Sequence, residues 1–232
     1  HSSQERNAHM RLENRNAIVT GSGNGIGRAI ARRFASEGAK VTVAELEEDS
    51  GRETVELIRQ TGGEAVFVET DTSDSMSVKS AVAAAISAHG DIDLLVNNAA
   101  AFVFGKVEDV TQDDWMRVFG VNVIGYANCV REILPSMRRA SGGAIVNIAS
   151  VSSFVAQPRF IPYNASKGAV AALTVCLGMD LAVDKIRDNA VCPGAFGARA
   201  IYNHNASVGI DPEETVKVFG QVSKLKRMGG PE

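Results

Sequence analysis

No stretch of this sequence approaches the roughly 18 consecutive uncharged apolar residues that a membrane-spanning helix needs, although apolar residues make up 45% of the chain. A transmembrane helix is not expected, and the composition is that of an ordinary globular protein. Surplus positive charge is missing as well, with a formal net charge of -3 and an isoelectric point near 5.9. Nucleic acid, which needs a basic surface to dock on, is therefore a poor partner. A small molecule is the expected one.

Cysteine is scarce. Cys129, Cys176 and Cys192 form an odd set without a C-x-x-C pair, which argues against a disulfide framework and a structural zinc site and favours a reducing cytoplasm. The histidines, His1, His9, His89 and His204, are too scattered for a metal cluster, so no metal is expected. Linkers rich in proline or serine, low-complexity tracts and internal repeats are also absent, and nothing divides the chain. Residues 1–10 are polar and aperiodic and end in His9-Met10. They read as a leader or tag remnant, followed by one domain over residues 11–232.

What is present is an alternation of short apolar runs with longer amphipathic stretches. Strands are expected at Ala17–Thr20, Lys40–Ala44, Ala65–Val68, Leu94–Val96, Ala144–Ile148 and Asn189–Cys192. Helices are expected near Ile26–Glu37, Ser50–Gln60, Met76–Ala88, Trp115–Arg138 and Tyr163–Val183. Successive βαβ units of this kind build an α/β, Rossmann-type, doubly wound parallel sheet. After Pro193 the alternation lapses into a loop at Gly194–Gly209 and a helix at Asp211–Val222, so that residues 195–222 suggest a substrate lid.

The first expected strand runs into T-G-S-G-N-G-I-G, Thr20–Gly27, and then directly into a helical stretch. Glycines at a strand-to-helix turn let the backbone approach a pyrophosphate, while the helix N-terminus favours its charge. The spacing G-x-x-x-G-x-G through Gly21, Gly25 and Gly27 differs from the commoner G-x-G-x-x-G. About 20 residues on, Glu45 closes the second strand where a dinucleotide fold places an acid for the adenosine ribose. A carboxylate there repels the extra phosphate of NADP, and neither Leu46 nor Asn24 supplies a compensating cation. NAD is the expected cofactor.

Tyr163 and Lys167 form Y-N-A-S-K at the head of a helical stretch, where a spacing of four residues puts both on one face. A nearby ammonium stabilises a phenolate and lowers its pKa from near 10, which makes tyrosine usable as a general acid or base. An exposed helical pair with no chemistry is the alternative on this motif alone.

From about Asn14 onward the chain resembles the short-chain dehydrogenase/reductase family in its compact form. The resemblance rests on the glycine turn, D-T-S-D (Asp71, Thr72), N-N-A-A (Asn97–Ala100), F-G-V-N-V-I-G (Asn122), N-I-A-S (Ser150), Y-N-A-S-K, and N-A-V-C-P-G (Pro193, Gly194). It implies hydride transfer between NAD(H) and a secondary alcohol or ketone, with Tyr163 exchanging the substrate proton. Lys167 is then expected to lower the tyrosine pKa and bond the nicotinamide ribose. Ser150 is expected to hold the substrate oxygen, with Ser152 and Ser153 as alternatives, and Asn122 to hold a relay water.

The same resemblance implies cofactor contacts at Gly21, Asn24, Gly25, Ile26, Gly27, Glu45, Leu46, Asp71, Thr72, Asn98, Ala99, Ala100, Tyr163, Lys167, Pro193, Gly194 and Phe196. It also implies a homo-oligomer, usually a homotetramer. Ala100 and Ala198 stand where the family usually has Gly and often Thr, and Asp188 stands where it has an apolar residue. The family's final helix and C-terminal edge strand are not expected here, because K-R-M-G-G-P-E at the end resembles the segment preceding them. A catalytically silent NAD-binding protein, or an epimerase or dehydratase, would carry the same landmarks. Phe154, Phe160 and Tyr202 suggest a partly apolar substrate pocket within 154–162 and 195–209.

Overall fold

The computed structural model describes residues 10–194, 211 and 229–230. Phe196, Ala198, Tyr202, residues 1–9, most of the expected lid and most of the Asp211–Val222 helix lie outside the described residues. The elements alternate as expected: β1 (Asn16–Thr20), α1 (Gly25–Ser36), β2 (Lys40–Glu45), α2 (Glu48–Gln60), β3 (Glu64–Glu69), α3 (Ser75–His89) and β4 (Leu94–Asn97). Then come α4 (Gln112–Phe119), a π turn (Gly120–Ile124), α5 (Gly125–Arg139), β5 (Gly143–Ile148), α6 (Ile161–Asp180) and β6 (Ile186–Val191).

The six strands form one parallel sheet in the order β3-β2-β1-β4-β5-β6. The chain works outward from β1 on one side and from β4 on the other, so a crevice opens between their C-terminal ends. Side chains alternate across each strand. Ile18 of β1 and Leu95 of β4 join Val82, Ile133 and Met137 on the α3/α5 face. Their neighbours Val19 and Val96 join Ala31, Val55 and Ile58 on the α1/α2 face. This two-sided burial is why the strands read as continuous apolar runs.

Two expectations need correction. The helix expected over Trp115–Arg138 is interrupted by the π turn, which seats Asn122 fully buried. Its amide bonds both main-chain groups of Ala101, accepting from the N–H at 2.7 Å and donating to the carbonyl at 3.1 Å. The last strand starts three residues earlier than Asn189, because Ile186, Arg187 and Asp188 already pair with Gly143, Ala144 and Ile145. Asp188 is half-buried there and has a partner: Asn147 Nδ2 donates to both carboxylate oxygens, at 3.0 and 3.2 Å. Burial still pushes its pKa up to about 7.

Candidate active site

The crevice is a cleft of about 640 Å³ running from the glycine turn to Ser150 and Tyr163. At its first end Gly21 takes φ +61°, and a Cβ there would press into the Ala99 main chain. Gly25 has φ +52° with open space above it, so the backbone is bare where a ligand could approach. Gly27 does not line the cleft: a Cβ there would meet the Gly21 carbonyl and the Asn98 amide, so this glycine serves helix-to-strand packing. Asn98 ties the turn down, its Nδ2 donating to the carbonyls of Thr20 and Gly21, each at 2.9 Å.

The N-terminus of α1 has no side-chain cap on Asn24 and no acid in its first turn. Its N–H groups and positive dipole thus present an anion site. Asn24, Ile26, Glu45 and Leu46 line the same end. Glu45 turns inward, accepting from the Gly23 N–H at 2.7 Å and from the Leu46 N–H at 2.9 Å. Arg28, the cation nearest the turn in sequence, is committed to Glu53 and Thr54. Asp71 and Thr72 form the adjoining wall, with Asp71 holding Ser73 through its N–H at 2.9 Å and its hydroxyl. Ala99 and Ala100 continue that lining; Ala100 is exposed, so its methyl group sits at the mouth.

At the second end Ser150 lies two residues beyond β5, and Pro162 in the first turn of α6 sets up the helix that carries Tyr163 and Lys167. Ser150 and Tyr163 both line this end of the cleft, the Ser150 hydroxyl lowering the Tyr163 pKa and its Oγ accepting from the Ser152 N–H at 3.1 Å. Ser153 is turned away, donating to the Lys167 carbonyl at 2.7 Å, and Ser152 is buried outside the cleft lining. Of the three serines, only Ser150 reaches the cleft. Pro193 and Gly194 complete this end.

Lys167 shares the helix face of Tyr163, as the spacing suggested, but its ammonium group bonds elsewhere. Its Nζ donates to the Ile148 carbonyl at 2.6 Å and to Tyr126 Oη at 3.5 Å, and lies 5.7 Å from the centre of the Tyr163 ring. Burial brings its pKa down to about 7. Burial also raises the Tyr163 pKa, more than the nearby Ser150 hydroxyl lowers it. The expected depression of the tyrosine pKa is thus not seen in the protein alone, because desolvation penalises phenolate and ammonium alike. Asn122 lies outside the cleft lining; besides Ala101, its amide donates to Ser166 Oγ at 2.9 Å, which uses both amide protons and leaves one acceptor site on Oδ1.

Two contributors escaped sequence reading. Tyr126 is fully buried beneath the site and donates to the Ile148 carbonyl at 3.2 Å; its i, i+4 spacing from Asn122 was the available clue. Phe102 lies flat on Tyr163, ring centres 4.6 Å apart at 20°, and lines the cleft. Of the aromatics expected at the pocket, Phe160 lies 6.2 Å from Tyr163, centre to centre, whereas Phe154 is 76% exposed.

A parallel sheet with a bare glycine turn at one end of its switch-point cleft and a Ser-Tyr pair above a buried lysine at the other defines a dinucleotide-dependent oxidoreductase class. The chain belongs to the short chain dehydrogenase family, which it matches over residues 15–207. It is 42% identical over 183 residues to an uncharacterized oxidoreductase of Thermotoga maritima, covering 79% of this chain and 72% of that protein. It is 37% identical over 204 residues to 3beta-hydroxysteroid dehydrogenase 1 of Eggerthella lenta, covering 87% and 77%. It also superimposes on 7 alpha-hydroxysteroid dehydrogenase complexed with NADH and 7-oxo glycochenodeoxycholic acid, with a TM-score of 0.87 and 30% identity over 96% of this chain and 85% of that one. Nicotinamide cofactors are those of the family. No described helix is long and apolar enough to cross a membrane.

Proposed function

We propose that the protein transfers a hydride between NAD(H) and a secondary alcohol or its ketone, with Tyr163 as the general acid and base. The observation that carries this is the placement of the Ser150–Tyr163 pair at one end of a cleft whose other end is an uncapped helix N-terminus fronted by glycines. Gly21, Asn24, Gly25 and Ile26 would hold the pyrophosphate and Glu45 and Leu46 the adenosine ribose. Asp71, Thr72 and Asn98–Ala100 would line the adenine and ribose path, and Pro193 and Gly194 the nicotinamide. NAD is favoured over NADP because the Glu45 carboxylate faces the turn and Arg28 is spent on Glu53.

Bound NAD supplies the hydride acceptor for oxidation and, once reduced, the donor for the reverse reaction. In oxidation Tyr163 Oη removes the alcohol proton, and in reduction it returns one to the carbonyl oxygen. Ser150 Oγ donates to that same oxygen and fixes its line of approach. With its pKa raised, Tyr163 is protonated at neutral pH and ready to act as the acid. Lys167, poised near 7, carries a charge that rises to meet a phenolate when one forms and would reach the nicotinamide ribose. Asn122 holds Ala101 and α6 in place and would carry the water that joins Lys167 to solvent.

The sheet and cleft are assigned to one domain. Val175, Met179 and Val183, spaced four apart and 65%, 76% and 87% exposed, suit burial in a homo-oligomer. The free cysteines suit a reducing cytoplasm. Titration with NAD and NADP, followed by a screen for NADH formation over secondary alcohols, polyols, sugars and steroids, tests the reading. NAD-selective binding with NADH formation supports it. NAD binding without turnover would instead favour a silent binding protein, and product without net NADH an epimerase or dehydratase.

A further inference from the structure

Phe102 is held more firmly than a loop residue needs to be. The preceding residue, Ala101, has both main-chain groups clamped by the buried Asn122 amide. Further along the same loop, the Gly105 N–H donates to the Arg159 carbonyl at 2.8 Å, and Gly105 bridges Phe160 just ahead of α6. Phe104 packs edge-on against Phe160, ring centres 4.5 Å apart at 90°, and lies 6.3 Å from Phe102 and nearly parallel to it. The segment carrying Phe102 and the helix start carrying Tyr163 are thereby sewn together.

A stack of 4.6 Å leaves no room for a ligand between the two rings. Phe102 therefore covers one face of the phenol, while its remaining surface forms cleft wall next to Ser150 and Tyr163. Ala100, Ala101, Ala149, Pro193 and Gly194 also line the cleft, as do Val121 and the charged Arg117. Of these, Ala100, Ala101, Ala149, Pro193 and Gly194 offer no polar side chain to a bound molecule.

We infer that Phe102 is a specificity-determining residue whose ring, stacked on Tyr163, selects apolar ring-bearing alcohols and ketones over polyols and short acyclic alcohols. The inference rests on the oxidoreductase reading and supplies its substrate class. A cyclic skeleton whose oxygen reaches Ser150 and Tyr163 lays its carbons along the Phe102 wall and gains contact there. A polyol in the same place sets hydroxyls against the Phe102 ring and the alanine methyl groups, and each one so placed is rejected by up to about a hundredfold. The stack also keeps water from the phenol, consistent with the raised Tyr163 pKa.

The test compares wild type with Phe102→Ala and Phe102→Leu on cyclohexanol, propan-2-ol and inositol. The ratio of kcat/KM for cyclohexanol to that for propan-2-ol is expected to fall roughly tenfold to a hundredfold in Phe102→Ala, and less in Phe102→Leu. Taking the ratio within one variant cancels any loss of folded enzyme. The pH of half-maximal oxidation should also move to lower pH in Phe102→Ala as the uncovered phenol regains water, a shift that a merely structural role would not cause. An unchanged ratio, or inositol used as well as cyclohexanol by wild type, overturns the assignment. Saturation-transfer NMR with cyclohexanol gives a readout that needs no turnover. Signal present in wild type and lost in Phe102→Ala, without any NADH formation, keeps the Phe102 wall and sinks the hydride-transfer reading; signal unchanged in the variant sinks the wall.

Discussion

Replacing Asp188 with Asn should stabilise the protein at neutral pH and leave it unaffected in acid. Asp188 sits on β6 with Asn147 as its donor, and burial raises its pKa from 3.8 to about 7. A carboxyl whose folded pKa lies above its unfolded value binds more protons when folded, so its contribution to stability is full below about pH 4 and is lost as pH rises to about 7. A rise of roughly three units corresponds to at most about 4 kcal/mol at 1.36 kcal/mol per unit. The group is only half-buried, and screening by solvent reduces this to about 1–2 kcal/mol. The neutral amide keeps an acceptor for Asn147 Nδ2 without that cost. Denaturant melts of wild type and Asp188→Asn at pH 3.5 and 8 should therefore nearly coincide at the lower pH. At the higher pH the variant should lead by about 1–2 kcal/mol, or about 2–8 °C in Tm. Subtracting wild type from variant cancels the opposite slope of Lys167, whose lowered pKa makes stability rise with pH above about 7. A variant equal to or weaker than wild type at pH 8 would refute the reasoning.

Other outcomes follow from the cleft. Gly21→Ala places a Cβ at a positive φ against the Ala99 main chain, and should cost about 1–3 kcal/mol of stability while abolishing NADH fluorescence enhancement. Glu45→Ala removes the carboxylate that faces the turn, and should narrow the NAD preference over NADP by about tenfold or more in paired titrations. Light scattering should find an oligomer that Met179→Lys dissociates, since the change puts a charge on the exposed apolar row of α6.

Most of the sheet could be read from the chain because its strands are buried on both faces. Ile18-Val19 and Leu95-Val96 fill opposite cores and so appear as unbroken apolar runs. The start of β6 was hidden for the opposite reason: Asp188 breaks the apolar run of the last described strand, and only its pairing with Ile145 reveals the strand. The π turn was equally hidden, since one widened turn hardly disturbs the apolar periodicity over Trp115–Arg138. At the site, motif order identified Ser150, Tyr163 and Lys167, and spacing placed the last two on one helix face. The real partners of Lys167, the Ile148 carbonyl and Tyr126, come from two other elements. The stack of Phe102 on Tyr163 joins residues far apart in sequence, and no local pattern encodes it.

The most direct measurement concerns Tyr163 itself. Tyr163→Phe removes one oxygen at the end of the cleft and keeps the ring that stacks on Phe102. NADH binding, followed by fluorescence, should stay within about threefold of wild type, while kcat/KM for alcohol oxidation falls by about a hundredfold to ten-thousandfold. A variant that binds NADH and still oxidises alcohol at the wild-type rate would contradict the role given to Tyr163.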